Sequence, residues 1–338
     1  MQGQAEVLPW KGVNYNTGTD YSGPASGSAG AHWSRPLFRQ HMAAVRSELH
    51  CTSVNLYGTD IAGLAECAAA AAEEGLHVWV QPRLVEGTAD ATIAYLTEAA
   101  EATEKLRRRY GAIDLNVGCE LTVFGSGIIP GRTHGDRAAK LPDPQWWGRL
   151  PEFNGQLNQL LGRAQEAART HFNGRISYAA GVWEDVDWTG FDFVGLNYYR
   201  MAYNSADYVS GLRKHLQPGK PVLITEFGCC TFTGAGDMGP AGYGIIDWSA
   251  SPPALNGTYT RDEREQADYL SQQLDIFAAE GVHGAYVFEF IAPKPYSPDP
   301  RHDLDMGSFG LARVNRDGGW EPKLSFREVA RRYGTRTP

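Results

Sequence analysis

The sequence predicts a single (β/α)8 barrel, and three observations carry this prediction. Eight short runs of apolar and β-branched residues recur along the 338 residues. Helical patterns fill most of the gaps between these runs, which is typical of strands that alternate with helices and pair in parallel. The runs are apolar on both faces, as strands are when helices cover the sheet. No linker divides the chain, so we expect residues 1–338 to form one domain.

The elements follow in a regular order. The candidate strands are residues 10–16, 53–58, 77–84, 114–122, 175–182, 191–199, 221–228 and 284–291. The candidate helices are residues 36–50, 60–75, 88–110, 145–172, 203–216, 260–280 and 322–333, and only the gap after residue 182 is too short for a full helix. The alternative is an open doubly wound sheet. Neither GxGxxG nor GxxxxGK[ST] follows the first strand, which weakens the nucleotide-binding form of that alternative.

Three long insertions follow candidate strands rather than candidate helices. Residues 123–144, 229–259 and 292–321 come after the C-terminal ends of the fourth, seventh and eighth strands, and a glycine-rich stretch at 16–32 follows the first strand. In a (β/α)8 barrel the C-terminal rim carries the active site, and the loops there shape the substrate cleft. We therefore expect the functional residues at this rim.

Composition narrows the range of partners. The net charge of −8 argues against binding to nucleic acid or an anionic membrane, because both attract a positive protein surface. The chain has no signal-peptide pattern and no apolar run near the roughly 20 residues of a membrane helix. Five scattered cysteines without a CxxC pair suit a reducing compartment. We expect a cytoplasmic bacterial protein, monomeric or weakly homo-oligomeric, without metal or cofactor.

Two glutamates end the fourth and seventh candidate strands. Because side chains alternate along a strand, Glu120 is expected to face the barrel interior while Cys119 faces the helices, and Glu226 is expected to face inward with Val222 and Ile224. The outward set on these two strands is then Leu115, Val117, Cys119, Leu121, Leu223, Thr225 and Phe227. Strands four and seven lie across a barrel of eight strands, so the two carboxyl groups are expected to face each other over its mouth.

Paired carboxyl groups in this arrangement suit glycoside hydrolysis. A retaining enzyme needs one carboxylate as nucleophile and one carboxylic acid that protonates the leaving oxygen, about 5 to 5.5 Å apart. Their environments must differ, so that one stays ionised and the other holds its proton. A single glutamate at a strand end is commonly a rim residue in a salt bridge. Two of them, at the fourth and seventh strands, favour catalysis.

The two strand ends also resemble a known group of enzymes. The segments `NVGCELT` (116–122) and `KPVLITEFG` (220–228) resemble the fourth- and seventh-strand signatures of clan-A retaining glycoside hydrolases, which are (β/α)8 barrels. `GVNYN` and `GLNYY` are similar to segments of the mannanases and cellulases in this clan. The resemblance implies that Glu120 is the general acid/base and Glu226 the nucleophile toward a β-linked carbohydrate or glycosylated small molecule. The `DLDM` segment at 303–306 is shared, more weakly, with bacterial proteins labelled abortive-infection proteins, a label that implies no chemistry.

The sequence departs from the clan pattern at two positions. Most clan members carry an asparagine, which binds the sugar 2-hydroxyl, where this chain has Cys119. The usual eighth-strand tryptophan is also missing, and Glu289 follows Phe288 there. Glu289 is either a third carboxylate in the mouth or part of a structural ion pair. Because of these departures, one alternative function remains: a barrel that performs acid/base tailoring of a small natural product. A non-catalytic carbohydrate-binding barrel is the second alternative, and it would bind ligand without turnover.

Further residues are candidates for the site. The resemblance implies an arginine and a tyrosine that keep the nucleophile ionised, and Arg83 and Tyr199 stand at the ends of the third and sixth strands. The candidates for binding sugar hydroxyls and sugar faces are Asn14, Tyr15, Asn55, Asn197, Trp183 and Trp248. For Tyr15 and Asn55 the alternative role, which is the commoner one for such residues, is to fix a loop. The DxD at 303–305 is a weak metal signal, and a loop salt bridge is favoured there.

Overall fold

Eight parallel strands close into a barrel at the centre of the computed structural model, which describes residues 8–21, 34–216 and 219–334. The barrel strands are Trp10–Gly18 (β1), Ser53–Gly58 (β2), His77–Pro82 (β3), Ile113–Cys119 (β4), Ile176–Gly181 (β5), Val194–Asn197 (β6), Val222–Phe227 (β7) and Gly284–Val287 (β10). Each strand pairs with the next along the chain, and β10 pairs with both β7 and β1 to close the ring. The predicted (β/α)8 fold is confirmed.

Helices surround the barrel. They are Arg35–Ser47 (α1), Ile61–Glu73 (α2), Ala89–Tyr110 (α3), Leu121–Phe124 (α4), His134–Ala138 (α5), Leu150–His171 (α6), Tyr208–His215 (α7), Ala235–Met238 (α8), Glu263–Ala279 (α9) and Leu324–Gly334 (α10). Seven of these ten match the predicted helices, whereas α4, α5 and α8 were not predicted. Ser34, Asp60, Thr88 and Asp262 accept backbone N–H groups at the starts of α1, α2, α3 and α9. These side chains satisfy donors that a helix leaves free at its first turn, so they fix where the helices begin.

The long insertions carry short elements of their own. The insertion after β4 contains α4, α5 and a 3₁₀ helix at Pro144–Arg149. The insertion after β7 contains α8 and a two-stranded ribbon of Ile246–Asp247 (β8) and Ala254–Leu255 (β9). After β10, strands Ile291–Pro295 (β11), Ala312–Val314 (β12) and Trp320–Pro322 (β13) form a small sheet. The segment 182–193 joins β5 to β6 without a helix, as the short gap in the sequence predicts.

Apolar side chains fill the lower part of the barrel. Trp79, Phe193, Leu223 and Tyr286 form one buried cluster, with Trp10 packed against it. Trp79 lies in β3, Leu223 in β7, Tyr286 in β10, and Phe193 directly before β6. The cluster therefore lies inside the ring of strands. It leaves the opposite, C-terminal end of the barrel for polar groups. None of the helices in the described ranges has the length and apolar character that crossing a membrane requires.

Candidate active site

Glu226 lies near the C-terminal end of β7 and is almost entirely buried, with 7% of its surface exposed. The Tyr199 hydroxyl group donates a hydrogen bond to its Oε2 over 3.1 Å. The Arg83 guanidinium group donates to Oε1 over 3.3 Å, and the Cys119 thiol lies 3.6 Å from the same oxygen. The arginine and tyrosine expected beside this carboxylate are therefore both in contact with it.

Glu226 faces the barrel mouth for a reason other than simple alternation. The expectation that Leu223 and Thr225 face outward is wrong: Leu223 packs inside the barrel, and the Thr225 hydroxyl group donates to the Asn197 side chain. The pairing of β7 with both neighbouring strands shifts register between Ile224 and Phe227. This irregularity lets Thr225 and Glu226 both face inward, since an extra residue in a strand interrupts its alternation.

Glu120 follows the last residue of β4 and is partly buried. Its backbone has φ 43° and ψ 50°, a left-handed conformation that costs a residue with a side chain about 1 kcal/mol or more. The backbone N–H of Glu120 donates to the carbonyl of Ala179 on β5. The Asn197 amide group donates to Oε1 of Glu120 over 2.9 Å. The turn thus holds the carboxyl group at the mouth beside the end of β6.

Cys119 also faces the mouth, which corrects the outward orientation expected from alternation. Its thiol accepts a hydrogen bond from the Asn197 amide over 3.4 Å and lies against Glu226. The pairing of β4 with β5 shifts register between Asn116 and Cys119, so the alternation fails at this point. Burial raises the pKa of the Cys119 thiol well above its ordinary value. The group therefore remains a neutral S–H.

The two glutamates differ in what stabilises their charged forms. Burial and the nearby charge of Glu226 raise the pKa of Glu120 to about 8, and one neutral amide is its hydrogen-bond donor among the described residues. Burial also raises the pKa of Glu226, but the Arg83 charge and the hydrogen bond from Tyr199 oppose this effect. At neutral pH the proton that the pair retains therefore resides on Glu120, and Glu226 carries the negative charge.

Glu289 is a third carboxyl group at the same end of the barrel. It follows β10, joins Phe288 through a cis peptide bond, and has 6% of its surface exposed. The Tyr57 hydroxyl group donates to its Oε2 over 2.7 Å. Burial raises the pKa of Glu289 to about 7, and the charge of Glu226 adds to this effect. The Tyr57 hydrogen bond and the charges of Lys294 and Arg83 oppose it. Within the described ranges no cationic side chain forms an ion pair with Glu289, so of the two alternatives the structure favours a group in the mouth.

Two tyrosines beside Arg83 were not predicted from the sequence. The guanidinium group lies over the Tyr57 ring at 4.2 Å, and it donates to the Tyr21 hydroxyl group over 3.3 Å. Tyr57 shares its side of β2 with Ser53 and Asn55, so alternation along this strand could have found it. Tyr21 lies in the glycine-rich segment after β1, where no strand pattern applies.

Glu184 was missed as well. It is a buried glutamate just after β5, and it accepts hydrogen bonds from the side chains of Thr122 and Tyr178 and from the backbone of Gly181. Burial raises the pKa of Glu184 to about 6. Both of its carboxyl oxygens are occupied by these donors, which indicates a structural role beside Glu120.

Asn14 and Asn55 lie inside the barrel beneath the mouth. The Asn14 amide donates to the Thr225 carbonyl over 2.9 Å, and its side-chain oxygen accepts from Asn55 over 2.7 Å. Because these amide groups are hydrogen-bonded to each other and to the backbone, they support β7, the strand that carries Glu226.

Tyr15 was expected to bind substrate, and its placement corrects this. Its hydroxyl group contacts His41 of α1 at 2.7 Å, since alternation along β1 turns it toward the helices.

The two candidate tryptophans occupy different positions. Trp183 is partly buried after β5 and donates from its indole N–H to Thr122 over 2.9 Å. Trp248 lies in the insertion after β7 with 49% of its surface exposed. The DxD segment forms the favoured salt bridges, because Arg261 contacts Asp303 at 3.0 Å and Asp305 at 2.8 Å. In the described part of the chain no cluster of His, Cys, Asp and Glu could hold a metal ion.

Comparisons with known proteins identify the fold. No protein-family model and no curated protein sequence matches the chain. Among solved structures, a GH113 β-1,4-mannanase superimposes with a TM-score of 0.61 at 14% identity, over 98% of this chain and 100% of that one. The GH113 β-mannanase of Alicyclobacillus acidocaldarius in complex with ManMIm gives a TM-score of 0.57 at 16% identity, over 98% and 99% of the two chains.

A larger enzyme shares the same barrel. The GH2 β-galacturonidase of Eisenbergiella tayi, bound to galacturonate, gives a TM-score of 0.59 at 18% identity over 97% of this chain and 51% of that one. This chain therefore spans about half of that enzyme. The identities are low, so the likeness concerns the fold alone: the chain shares a closed (β/α)8 barrel with these structures.

Proposed function

We propose that this chain is a retaining enzyme that cleaves or transfers a β-linked glycosyl group, with Glu226 as nucleophile and Glu120 as general acid/base. One observation carries the proposal: the two carboxyl groups at the mouth have opposite environments. Glu226 contacts a guanidinium group and a phenol, whereas Glu120 contacts a neutral amide. Fold neighbours that act on β-linked sugars support the proposal.

The proposed reaction is a double displacement that uses both carboxyl groups. In the first step an oxygen of Glu226 attacks the anomeric carbon while Glu120 transfers its proton to the leaving oxygen, which gives a covalent glycosyl-enzyme. In the second step Glu120 accepts a proton from water as the water attacks the same carbon and frees Glu226. The two inversions together retain the configuration.

The charge of Glu226 explains how Glu120 can serve in both steps. That charge contributes to the raised pKa of Glu120 in the free enzyme. When Glu226 is esterified by the sugar, its charge is gone, so the pKa of Glu120 falls. The same group therefore holds its proton when an acid is needed and loses it when a base is needed.

We also infer the cellular setting of this activity and the class of its substrate. All five cysteines are free thiols, which supports a reducing compartment such as the bacterial cytoplasm. The substrate would be a carbohydrate or a glycosylated small molecule, and the negative net charge disfavours nucleic acid.

A mechanism-based label tests the proposal. Cyclophellitol-type epoxides and 2-deoxy-2-fluoro glycosides trap the nucleophile, so peptide mass mapping should find the label on Glu226. Glu226→Gln should abolish both labelling and the hydrolysis of aryl β-glycosides. Glu184→Gln is the matched control, because it makes the same chemical change in a buried glutamate whose oxygens are already occupied.

The outcome also separates the alternatives. Ligand binding without turnover or labelling would instead support a non-catalytic carbohydrate-binding barrel. A label on another residue, or turnover that survives Glu226→Gln, would refute the assignment of the nucleophile.

A further inference from the structure

The carboxyl group of Glu289 has one unoccupied oxygen at the barrel mouth. Its Oε2 accepts from Tyr57, while Oε1 has no hydrogen bond to any residue in the described ranges. The residue as a whole has only 6% of its surface exposed. Oε1 is not among the fully buried polar atoms that lack a hydrogen bond in the described ranges, so it keeps contact with solvent at the mouth. An accessible acceptor oxygen on an otherwise buried residue can accept a hydrogen bond from a ligand in the mouth.

The surrounding contacts hold Glu289 in place. Phe288 stacks on the Tyr57 ring at 6.0 Å between centroids, and Arg83 covers the same ring. The backbone of Glu289 is tied to the small sheet after β10, because the N–H of Leu311 donates to its carbonyl over 2.9 Å. The free oxygen is therefore presented by a rigid part of the rim rather than by a mobile loop.

Glu289 also lies near the proposed nucleophile. The charges of Glu226 and Arg83 both act on it, and the Tyr57 ring connects Arg83 to Glu289. A sugar whose anomeric carbon lies beside Glu226 would thus present other parts of its ring to Glu289. The charge of Lys294 acts on Glu289 more strongly than that of Glu226 or Arg83. The Lys294 ammonium group itself donates to the Gly307 carbonyl over 3.2 Å and lies over the Tyr243 ring.

We propose that Glu289 determines glycone specificity by accepting a hydrogen bond from a donor group on the sugar bonded at Glu226. The substrates are then glycosides whose glycone carries a free hydroxyl or amino group toward β10, and a sugar that lacks this donor is rejected. This inference rests on the proposed function, because Glu226 fixes where the glycone lies. At the eighth strand, a carboxylate would then recognise the sugar in place of the missing tryptophan ring.

Binding to a protein that cannot turn over separates this inference from the proposed function. Methyl β-glycosides of mannose, glucose and galactose are titrated calorimetrically into the Glu226→Gln variant. The tightest parent is then compared with its 3-, 4- and 6-deoxy analogues and with the corresponding amino-deoxy sugars. The same series is measured in Glu226→Gln/Glu289→Gln and in Glu226→Gln/Glu184→Gln.

We expect one deoxy analogue to bind at least about tenfold more weakly than the parent, as for loss of a hydrogen bond to a charged group. This discrimination should fall to within about threefold in the Glu289→Gln background and should persist in the Glu184→Gln background. The amino-deoxy sugar at the same position distinguishes the donors: tighter binding than the parent identifies an ammonium group, and weaker binding identifies a hydroxyl group.

The inference is overturned if no methyl glycoside binds, if all deoxy analogues bind as well as the parent, or if the discrimination survives Glu289→Gln. Its failure is distinct from failure of the proposed function. Labelling of Glu226 in the wild-type protein tests the catalytic assignment and does not depend on Glu289.

Discussion

The Cys119 thiol lies 3.6 Å from Oε1 of Glu226, although alternation along β4 would turn it toward the helices. It shares this oxygen with Arg83, and it accepts a hydrogen bond from the amide that also holds Glu120. A thiol is a weak donor, so this contact contributes less than the phenol of Tyr199. The two contacts on Glu226 can therefore be ranked by substitution.

Cys119→Ala should lower kcat/KM for an aryl β-glycoside by less than about tenfold, because a weak hydrogen bond is lost. The acidic limb of the pH profile should move slightly upward, since one group that lowers the pKa of Glu226 is gone. Steady-state kinetics from pH 4 to 9 measure both effects. A loss of more than a hundredfold would give the thiol a direct role in the reaction.

Tyr199→Phe should have the larger effect. It removes a 3.1 Å hydrogen bond to the charged nucleophile, and such bonds contribute about 1.5 to 3 kcal/mol, or roughly 10- to 150-fold in rate. Tyr198→Phe is the matched control. Its hydroxyl group donates to the Tyr208 carbonyl over 2.7 Å, away from the mouth. The control should lose stability and keep its kcat/KM, and an equal loss of activity in both variants would contradict this ranking.

The pH dependence of activity should report the proton on Glu120. Because its pKa is raised to about 8, kcat/KM should fall as the pH rises through about 8. Glu120→Gln should remove this alkaline limb. It should slow poor leaving groups by about 10²- to 10⁴-fold and spare dinitrophenyl glycosides, which need no acid. An alkaline limb that persists in Glu120→Gln would assign that limb to another group.

The same proton should make stability depend on pH. The pKa of Glu120 is raised in the folded protein from 4.5 to about 8. Its contribution to the free energy of unfolding is therefore complete below pH 4.5 and is lost as the pH rises to about 8. Glu120→Gln should consequently raise Tm relative to wild type, by a difference that grows over this interval and then levels off.

Glu104 should make the free energy of unfolding depend on pH in the opposite direction. Hydrogen bonds from Arg107 and Arg108 lower the pKa of Glu104, so its contribution is present above pH 4.5 and is lost as the pH falls. Glu104→Gln should lower Tm at neutral pH. Calorimetric scans from pH 4 to 9 measure both variants, and parallel curves for Glu120→Gln and wild type would refute the raised pKa.

Arg137 should support the insertion after β4. It is fully buried, contacts Glu86 at 2.5 Å and donates to the carbonyls of Val123 and Gly131. Arg137→Ala leaves these acceptors unpaired and should lower the free energy of unfolding by about 3 kcal/mol. Arg149→Ala removes an exposed pair with Glu152 and should change it little. Urea unfolding measures both, and similar small losses would show that Arg137 is not a structural tie.

The sequence by itself determined the barrel and the elements that carry the site. The apolar runs and helical gaps predicted all eight barrel strands and the seven longer helices, because burial imposes the period of each element on the sequence. The short helices α4, α5 and α8 in the insertions were not predicted. It also indicated that Glu120, Glu226, Arg83 and Tyr199 stand at strand ends on one rim. Parallel strands bring their C-terminal ends together whatever the details of packing.

Only the tertiary structure decided which side chains meet. Register shifts in β4 and β7 turned Cys119 and Thr225 inward, and a period of two cannot anticipate an irregularity that depends on the partner strand. The structure likewise placed Tyr15 against His41 and Tyr57 against Glu289. The raised pKa of Glu120 depends on burial and on the charge of Glu226. Both arise from residues distant in the chain, so no local pattern records them.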